Sequence, residues 1–483
     1  MLTYQFRCSQ AYCLHIWVFA AFLLGAFSTY GSWSNKYVPC PSQPLDSLFL
    51  EDTTKPFFSL PACSNAFRGK PYLSFEQAGS ELNLANKVIL GFQTSEAGSI
   101  GHAIAAGRLR YRSDILDAHV HLQANTIAEM DTSTYIHEVS LERAISGMPH
   151  IRNFSSYDFL LRESYFTLKW NDCRLDVGKK RMRWGPGYKG TLGWSGVTHA
   201  PYSLYQLYIP MGDGFRYSSF FHGYDDINTS NIPRFGGGQR VDIRICDYVD
   251  LGMYELVVFH GMQDFAQYFV PLQLYYLGSN AGDNAPENLL GGADLNIYLK
   301  PVRLYAEFIN DDITVFDNRG NPNKYAFQIG SAWHSMGPLR VLGVEYTHVS
   351  PYIYGHRDSM NRHVYQEESL GWPWGNDQDV FNLHAAFDFC AAIRARSEIT
   401  YWLLGKGRTA DSWTADGRPN MDSAPYWPQN ADHLLSLLVS LHYSPAEWIH
   451  SSLYLRPAWL NKAPTHSLHL FLQFSVPAGI WGD

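Results

Sequence analysis

The chain has 483 residues, 46% of them hydrophobic and 17% charged, with 37 Lys and Arg set against 45 Asp and Glu. This composition excludes disordered and collagen-like chains, and a formal net charge of −8 argues against a nucleic-acid-binding protein, which needs a net cationic face to release phosphate counterions. The length admits either two or three ordinary domains or one large closed sheet.

Arg7 precedes Ile16 to Ala26, an uncharged apolar run too short to cross a bilayer and of the right length for a signal-peptide core. With small residues at Ala26 and Ser28, cleavage is expected after Ser28, so residues 1–28 read as a signal peptide and the chain as exported. No cysteine follows closely enough for a lipid anchor. Residues 29–85 hold Pro39, Pro41, Pro44, Pro56, Pro61 and Pro71 with little periodicity and are expected to be irregular. Cys40 and Cys63 lie within that segment and could bridge in an oxidising compartment. Cys173, Cys246 and Cys390 sit singly inside strand-like runs and read as small apolar side chains. No Cys/His spacing suits zinc, and no other cofactor is indicated.

From Asn86 onward, short runs of alternating polarity are separated by Gly, Pro, Asn and Asp clusters, the mark of antiparallel strands and turns. Val241, Ile243 and Ile245 alternate with Asp242 and Arg244, and Leu468, Leu470, Leu472 and Phe474 alternate with His469, Phe471 and Gln473. Sixteen such runs stand at 86–93, 114–123, 133–142, 157–170, 173–183, 239–246, 251–259, 292–300, 302–309, 325–334, 339–348, 379–389, 392–404, 432–443, 449–456 and 468–474. The true number is expected to lie within about two of this.

No segment after residue 28 has the apolar length of a transmembrane helix. A soluble β-sandwich or propeller would bury the apolar faces against a second sheet, whereas an outer-membrane barrel would turn them to lipid. Three features favour the barrel. The runs are often longer than ordinary globular strands. Aromatic residues, among them Trp170, Trp333, Tyr346 and Tyr443, recur at their ends as interfacial girdles require. Arg244, Glu307 and Arg394 lie inside strands, where a wet lumen accepts a charge and a sandwich core rejects it. The expected fold is therefore all-β, a large antiparallel transmembrane β-barrel of about 16–18 strands over residues 86–476, with a short tail at 477–483.

The strongest local feature runs from Gly178 to Gly190 and contains Arg183, Trp184, Tyr188 and Lys189 in a Gly/Pro turn. The cations could hold acidic groups of a glycan while the rings stack on sugar faces; alternatively, the rings anchor a membrane interface and the cations are simply wet. A second group is acidic: Glu307, Asp311 and Asp312, then Glu345, Asp377 and Asp379. Paired carboxylates serve glycoside hydrolysis or Ca²⁺ binding, and equally a solvated turn or a lumen ion-pair network. Gly236 to Gly238 precede a strand and make a turn, not a dinucleotide site. His356, beside Arg357 and Tyr354, could hold an anionic sugar or simply be exposed. No Gly-x-Ser-x-Gly elbow exists, since Gly193-Trp194-Ser195-Gly196 is one residue short.

In order, Arg183-Trp184-Gly185-Pro186-Gly187, Tyr268 with Pro271, Asp283-Asn284, Glu307 with Asp311-Asp312, Glu345-Tyr346-Thr347 followed by Pro351, Tyr354 and His356, and Leu370-Gly371 with Gly375, Asp377 and Asp379 resemble the capsule-assembly Wzi family of bacterial outer-membrane proteins. The resemblance spans about residues 157 to 390. It implies a barrel of about eighteen strands that acts as a lectin-like surface protein, attaching or organising capsular polysaccharide without turnover. The chain departs from that family in showing no helical period over 29–85, in having Gln239-Arg240 where His-Arg is expected, and in continuing nine residues past Phe474, the aromatic that the barrel-assembly machinery would read.

The expected function is thus binding of capsular or other surface polysaccharide by an outer-membrane barrel, with Arg183, Trp184, Tyr188, Lys189, Glu307, Asp311, Asp312 and His356 as candidate contacts. Its expected partners are the polysaccharide, outer-membrane lipid and the assembly machinery during biogenesis, with no nucleic acid. A porin or solute channel and an exported glycan hydrolase are the rival readings.

Overall fold

A computed structural model describes residues 73–128, 157–405 and 431–474 apart from short breaks, of which 196–200, 225–231, 279–286 and 313–323 are the longest. The expected signal peptide, Cys40, Cys63, the run 133–142, Asp283-Asn284 and the tail 477–483 lie outside the described residues.

The strands are β1 (Leu73–Gln77), β2 (Ser80–Ser95), β3 (Gly98–Arg112), β4 (Leu116–Ala128), β5 (Tyr157–Trp170), β6 (Cys173–Lys179) and β7 (Tyr202–Pro210). They continue as β8 (Phe215–Tyr224), β9 (Arg234–Cys246), β10 (Val249–His260), β11 (Asn288–Leu299), β12 (Val302–Asp312), β13 (Lys324–His334) and β14 (Leu339–Val349). After a two-residue pair, β15 (Val364–Tyr365) and β16 (Glu368–Ser369), come β17 (Gln378–Cys390), β18 (Ile393–Leu404), β19 (Asp432–Ala446), β20 (Ile449–Leu460) and β21 (Ala463–Phe474). Two short helices, α1 (Phe265–Phe269) and α2 (Tyr275–Gly278), lie between β10 and β11.

Among the described residues one sheet takes nineteen strands, each hydrogen-bonded antiparallel to the next in the chain. It closes where β21 returns to β2, from Val88 opposite Phe474 to Ser95 opposite Ser467. The rest of that edge of β2 carries β1, with Leu73 opposite Leu84 and Gln77 opposite Ser80. Eighteen strands therefore form the ring and β1 completes its seam beyond the end of β21. Strand structure begins at Leu73, ahead of the irregular segment's expected boundary at 85. A closed ring leaves no unpaired edge, which is what a sheet in hydrocarbon requires.

Side-chain burial is inverted relative to a soluble protein. On β13, Gln328 is 0% exposed and its neighbour Ile329 51%; on β14, Glu345 is 4% exposed and Val344 49%. Phe308, Phe381, Leu383, Ile399, Val439 and Leu455 repeat the outward apolar position around the ring, while Asp294, Asn382, Glu398, Thr400 and Ser440 are buried inside. No helix among the described residues is long and apolar enough to cross a membrane. One end has short turns, such as 171–172, 247–248 and 391–392; the other has most of the long connections, as outer-membrane barrels do. Cys173 opens β6, and Cys246 and Cys390 close β9 and β17, so all three are terminal strand residues at the short-turn end, half-buried or exposed.

Charges on the lumen side are paired rather than merely wet. Arg216 contacts Asp242 at 2.8 Å, Arg240 bridges Asp242 (2.6 Å) and Asp294 (2.5 Å), and Arg244 meets Asp250 at 2.8 Å.

Three full-length ring strands, β3, β7 and β8, escape the alternation rule. β3 is rich in Gly and Ala. On β8, Phe220 and His222 face the lumen against Trp194, while Phe221 faces outward into a second aromatic cluster with Tyr205, Val257, Phe259, Tyr268 and Tyr275. Both of its faces are aromatic, so no polarity period of two survives. That outer cluster exists because residues 265–278, carrying α1 and α2, pack on the outside of the wall at β7 to β10.

Candidate functional site

Two connections from the long-connection end fold into the lumen and meet there. The first joins β6 to β7 and holds Arg183, Trp184, Tyr188 and Lys189; the second joins β14 to β17. Wall carboxylates clamp the first by accepting hydrogen bonds from consecutive backbone N–H groups. Glu345 on β14 accepts from Tyr188 N and, at 3.0 Å, from Lys189 N; Glu307 on β12 accepts from Leu192 N (3.0 Å) and Gly193 N (3.1 Å). Each carboxylate also accepts from a wall tyrosine: Tyr305 to Glu345 at 2.7 Å and Tyr254 to Glu307 at 2.6 Å. Glu398 on β18 receives the Lys189 ammonium, which also lies 5.2 Å from the Trp402 ring and 5.5 Å from that of Trp374. Inside the ring these bonds satisfy amides that would otherwise be stranded.

The turn chemistry of Arg183-Trp184-Gly185-Pro186-Gly187 follows from this docking. A Cβ on Gly185, which holds φ at +118°, would collide with the Glu307 carboxylate, and one on Gly187 would collide with Gln328 and the Gly190 carbonyl. Only glycine lets the backbone approach so closely. Arg183 donates to the Gly187 carbonyl and closes the turn, and Trp184 N donates to Trp194 O at 2.8 Å. Trp184, 2% exposed, sits edge-on to Phe220 with ring centres 5.0 Å apart. Tyr188 stacks on His384 at 3.5 Å. Its phenol is pushed well above the usual tyrosine range by burial and then by Glu398.

The second connection packs on the first. Tyr354 donates to the Leu192 carbonyl (2.7 Å) and accepts from Trp372 N (3.2 Å); Ser195 N donates to Leu370 O at 2.8 Å. Tyr354 holds φ at +66°, a conformation that costs a non-glycine residue roughly 1–3 kcal/mol and survives only where its surroundings enforce it. His363 Nε2 donates to the Gly193 carbonyl at 3.2 Å, and burial lowers its pKa to about 4. Arg234 on β9, 1% exposed, donates to the carbonyls of Met360 (2.5 Å), Arg362 (2.9 Å) and Val364 (3.2 Å). Met182, Trp184, Leu192 and Trp194 from one connection and Ile353, Tyr354, Leu370 and Trp372 from the other share a single apolar cluster inside the ring.

The structure therefore unites two groups that the sequence leaves apart, the Arg183–Lys189 turn and the acid Glu307. It places Trp184 and Lys189 in the interior, neither on the lipid interface nor in open water. Asp311 stands apart from them at the long-connection end of β12, 3.3 Å from Lys324, and Asp312 follows it as the last residue of the strand. His356 lies in the second connection, where its Nδ1 accepts from Asp358 N at 3.0 Å. Sequence reasoning missed Glu398, Tyr254 and Tyr305 as partners of the turn, and placed Glu345 only in a loose acidic group. The available signal was a lone acid or tyrosine at the inward position of a strand whose outward neighbours are apolar.

A closed ring with an apolar exterior and a polar interior defines an outer-membrane β-barrel. Among solved structures the chain is similar in fold to Wzi, an outer-membrane protein involved in group 1 capsule assembly in Escherichia coli and described as a carbohydrate-binding β-barrel, with 16% identity, 81% of this chain and 84% of that chain covered, and a TM-score of 0.53. It also matches OccAB4 of Acinetobacter baumannii at 9% identity (83% of this chain, 99% of that chain, TM-score 0.48) and OccK3 of Pseudomonas aeruginosa at 9% (82% and 95%, TM-score 0.46). No family model matches the chain, and no curated protein does.

Proposed function

We propose that this outer-membrane barrel binds capsular or other surface polysaccharide at its long-connection end and neither conducts solutes nor turns over a substrate. The observation that carries this reading is the double infold: two connections, clamped by Glu307, Glu345 and Glu398 and fused into one apolar cluster, lie inside an eighteen-strand ring that could otherwise leave an open channel. The same engagement supports binding over chemistry, since Glu307 accepts hydrogen bonds from Leu192, Gly193 and Tyr254 and so serves as a structural anchor. The carbohydrate binding named for the Wzi barrel, whose fold this chain shares, supports a glycan as ligand. In this reading Asp311, Asp312 and His356 contact the glycan, and Arg183, Trp184, Tyr188, Lys189 and Glu307 form the floor beneath it.

Planar-bilayer recording and a capsule-retention assay test the two halves. The native barrel should be silent, and Glu307→Ala with Glu345→Ala should produce steady openings, which also proves insertion. Large steady openings of the native protein would favour a porin instead. Asp311→Ala with His356→Ala should lower polysaccharide retention several-fold; unchanged retention removes both residues from the site.

A further inference from the structure

The segment 265–278 is unlike the two infolded connections, because it lies on the outer wall. Beneath it runs a polar row that faces outward on three adjacent strands, Ser219 opposite Gln239 and Gln239 opposite Glu255. Gln239 is near the middle of β9, about 12 Å along the barrel axis from the long-connection end at a rise of about 3.3 Å per residue and the usual strand tilt. The segment covers the row: Glu255 accepts from Tyr275 N (2.6 Å) and Tyr276 N (3.4 Å), Gln239 donates to the Gln273 carbonyl, and Leu272 N donates to the Tyr217 hydroxyl at 2.7 Å.

The upper side of the segment is as apolar as the wall it hides. Residues 265–278 contain no charged side chain, and Met262, Phe269, Val270, Leu272 and Leu274 are all exposed. Leu272, at 66%, is more open than Ile329 at 51% in the middle of a bare strand. An aqueous loop would turn its polar atoms outward; here the backbone N–H groups point in at Glu255 and the hydrocarbon points out.

We infer that residues 265–274 form a strap embedded in the bilayer leaflet at the long-connection end, with its apolar side among the lipid acyl chains and its inner side held on the wall by Glu255. The occupant of the exposed face is lipid because the face continues the apolar belt of the ring at mid-strand depth. This rests on the barrel being lipid-embedded and is independent of whether it binds a glycan.

A nitroxide label on Leu272→Cys, in the full chain with its native cysteines replaced by serine and reconstituted in phosphatidylcholine/phosphatidylglycerol vesicles, reads the depth through its collisions with oxygen and with a water-soluble nickel chelate. The Ile329→Cys label is the reference for hydrocarbon and shows separately that the barrel is inserted. The oxygen-to-nickel ratio at 272 should fall within about twofold of that reference. A nickel-dominated signal at 272, or a label shielded from both reagents as beneath a second protein copy, would overturn the inference. Glu255→Ala should raise nickel collisions at 272 several-fold, whereas Glu255→Gln, which keeps one acceptor, should hold the strap nearer the wall; equal behaviour of both variants with the native protein would remove Glu255 as the anchor. Heat-modifiable gel migration reports whether each variant has folded.

Discussion

A carboxylate that accepts two consecutive backbone N–H groups recurs three times, at Glu307, Glu345 and Glu255, twice inside the ring and once outside it. The device suits any segment that must lie against a strand wall without joining its hydrogen-bond ladder, since a carboxyl acceptor satisfies amides that would otherwise be buried bare. His363 shows the opposite economy, a ring kept neutral by burial while it donates to the Gly193 carbonyl. Its folded pKa of about 4 lies below the unfolded value of 6.5, so the unfolded chain takes up the proton first. The native state therefore keeps this contribution above pH 6.5 and loses it as the pH falls toward 4, by about 3 kcal/mol at most. His363→Gln should flatten that part of the pH dependence of the thermal midpoint in detergent; identical profiles for variant and native protein would show that the histidine is not held neutral.

At the scale of elements, the connections matter as much as the strands. The turn between β6 and β7 reaches its seat only because glycine occupies the points of closest approach. Gly187→Ala forces a methyl against Gln328 and the Gly190 carbonyl and should cost about 1–3 kcal/mol, the usual penalty of overpacking. Gly107→Ala in β3 adds a methyl with no atom within 4 Å and should leave the midpoint unchanged or slightly raised. Near-ultraviolet circular dichroism of the buried tryptophans reads both. The strands at β5, β10, β12, β13, β14, β17 and β18 are legible as runs of alternating polarity because one side meets apolar surroundings and the other a polar interior. On β8 that contrast fails, since the turn's tryptophans cover one face of the wall and the outer strap covers the other.

For the whole molecule, the inverted burial pattern makes a quantitative demand. Ile329→Arg, in the middle of β13 and facing outward, should destabilise the barrel by roughly 2–4 kcal/mol in lipid, while Arg394→Gln on the lumen side of β18 should change it by no more than about 0.5 kcal/mol. Denaturant titration of folding into vesicles distinguishes the two, and equal effects would mean that the outward face does not meet hydrocarbon. The period of two, the length of the runs and the charges within them determined from sequence alone that the chain is a large antiparallel barrel, because each strand's side chains record which medium lies on either side of it. Which residues act together was decided by tertiary structure. Glu345 and Glu398 lie 157 and 210 residues from Tyr188, and whether 183–195 folds inward and 265–278 outward depends on which face of the wall offers unused acceptors and apolar cover. A backbone amide carries no residue-specific mark of the carboxylate that will receive it.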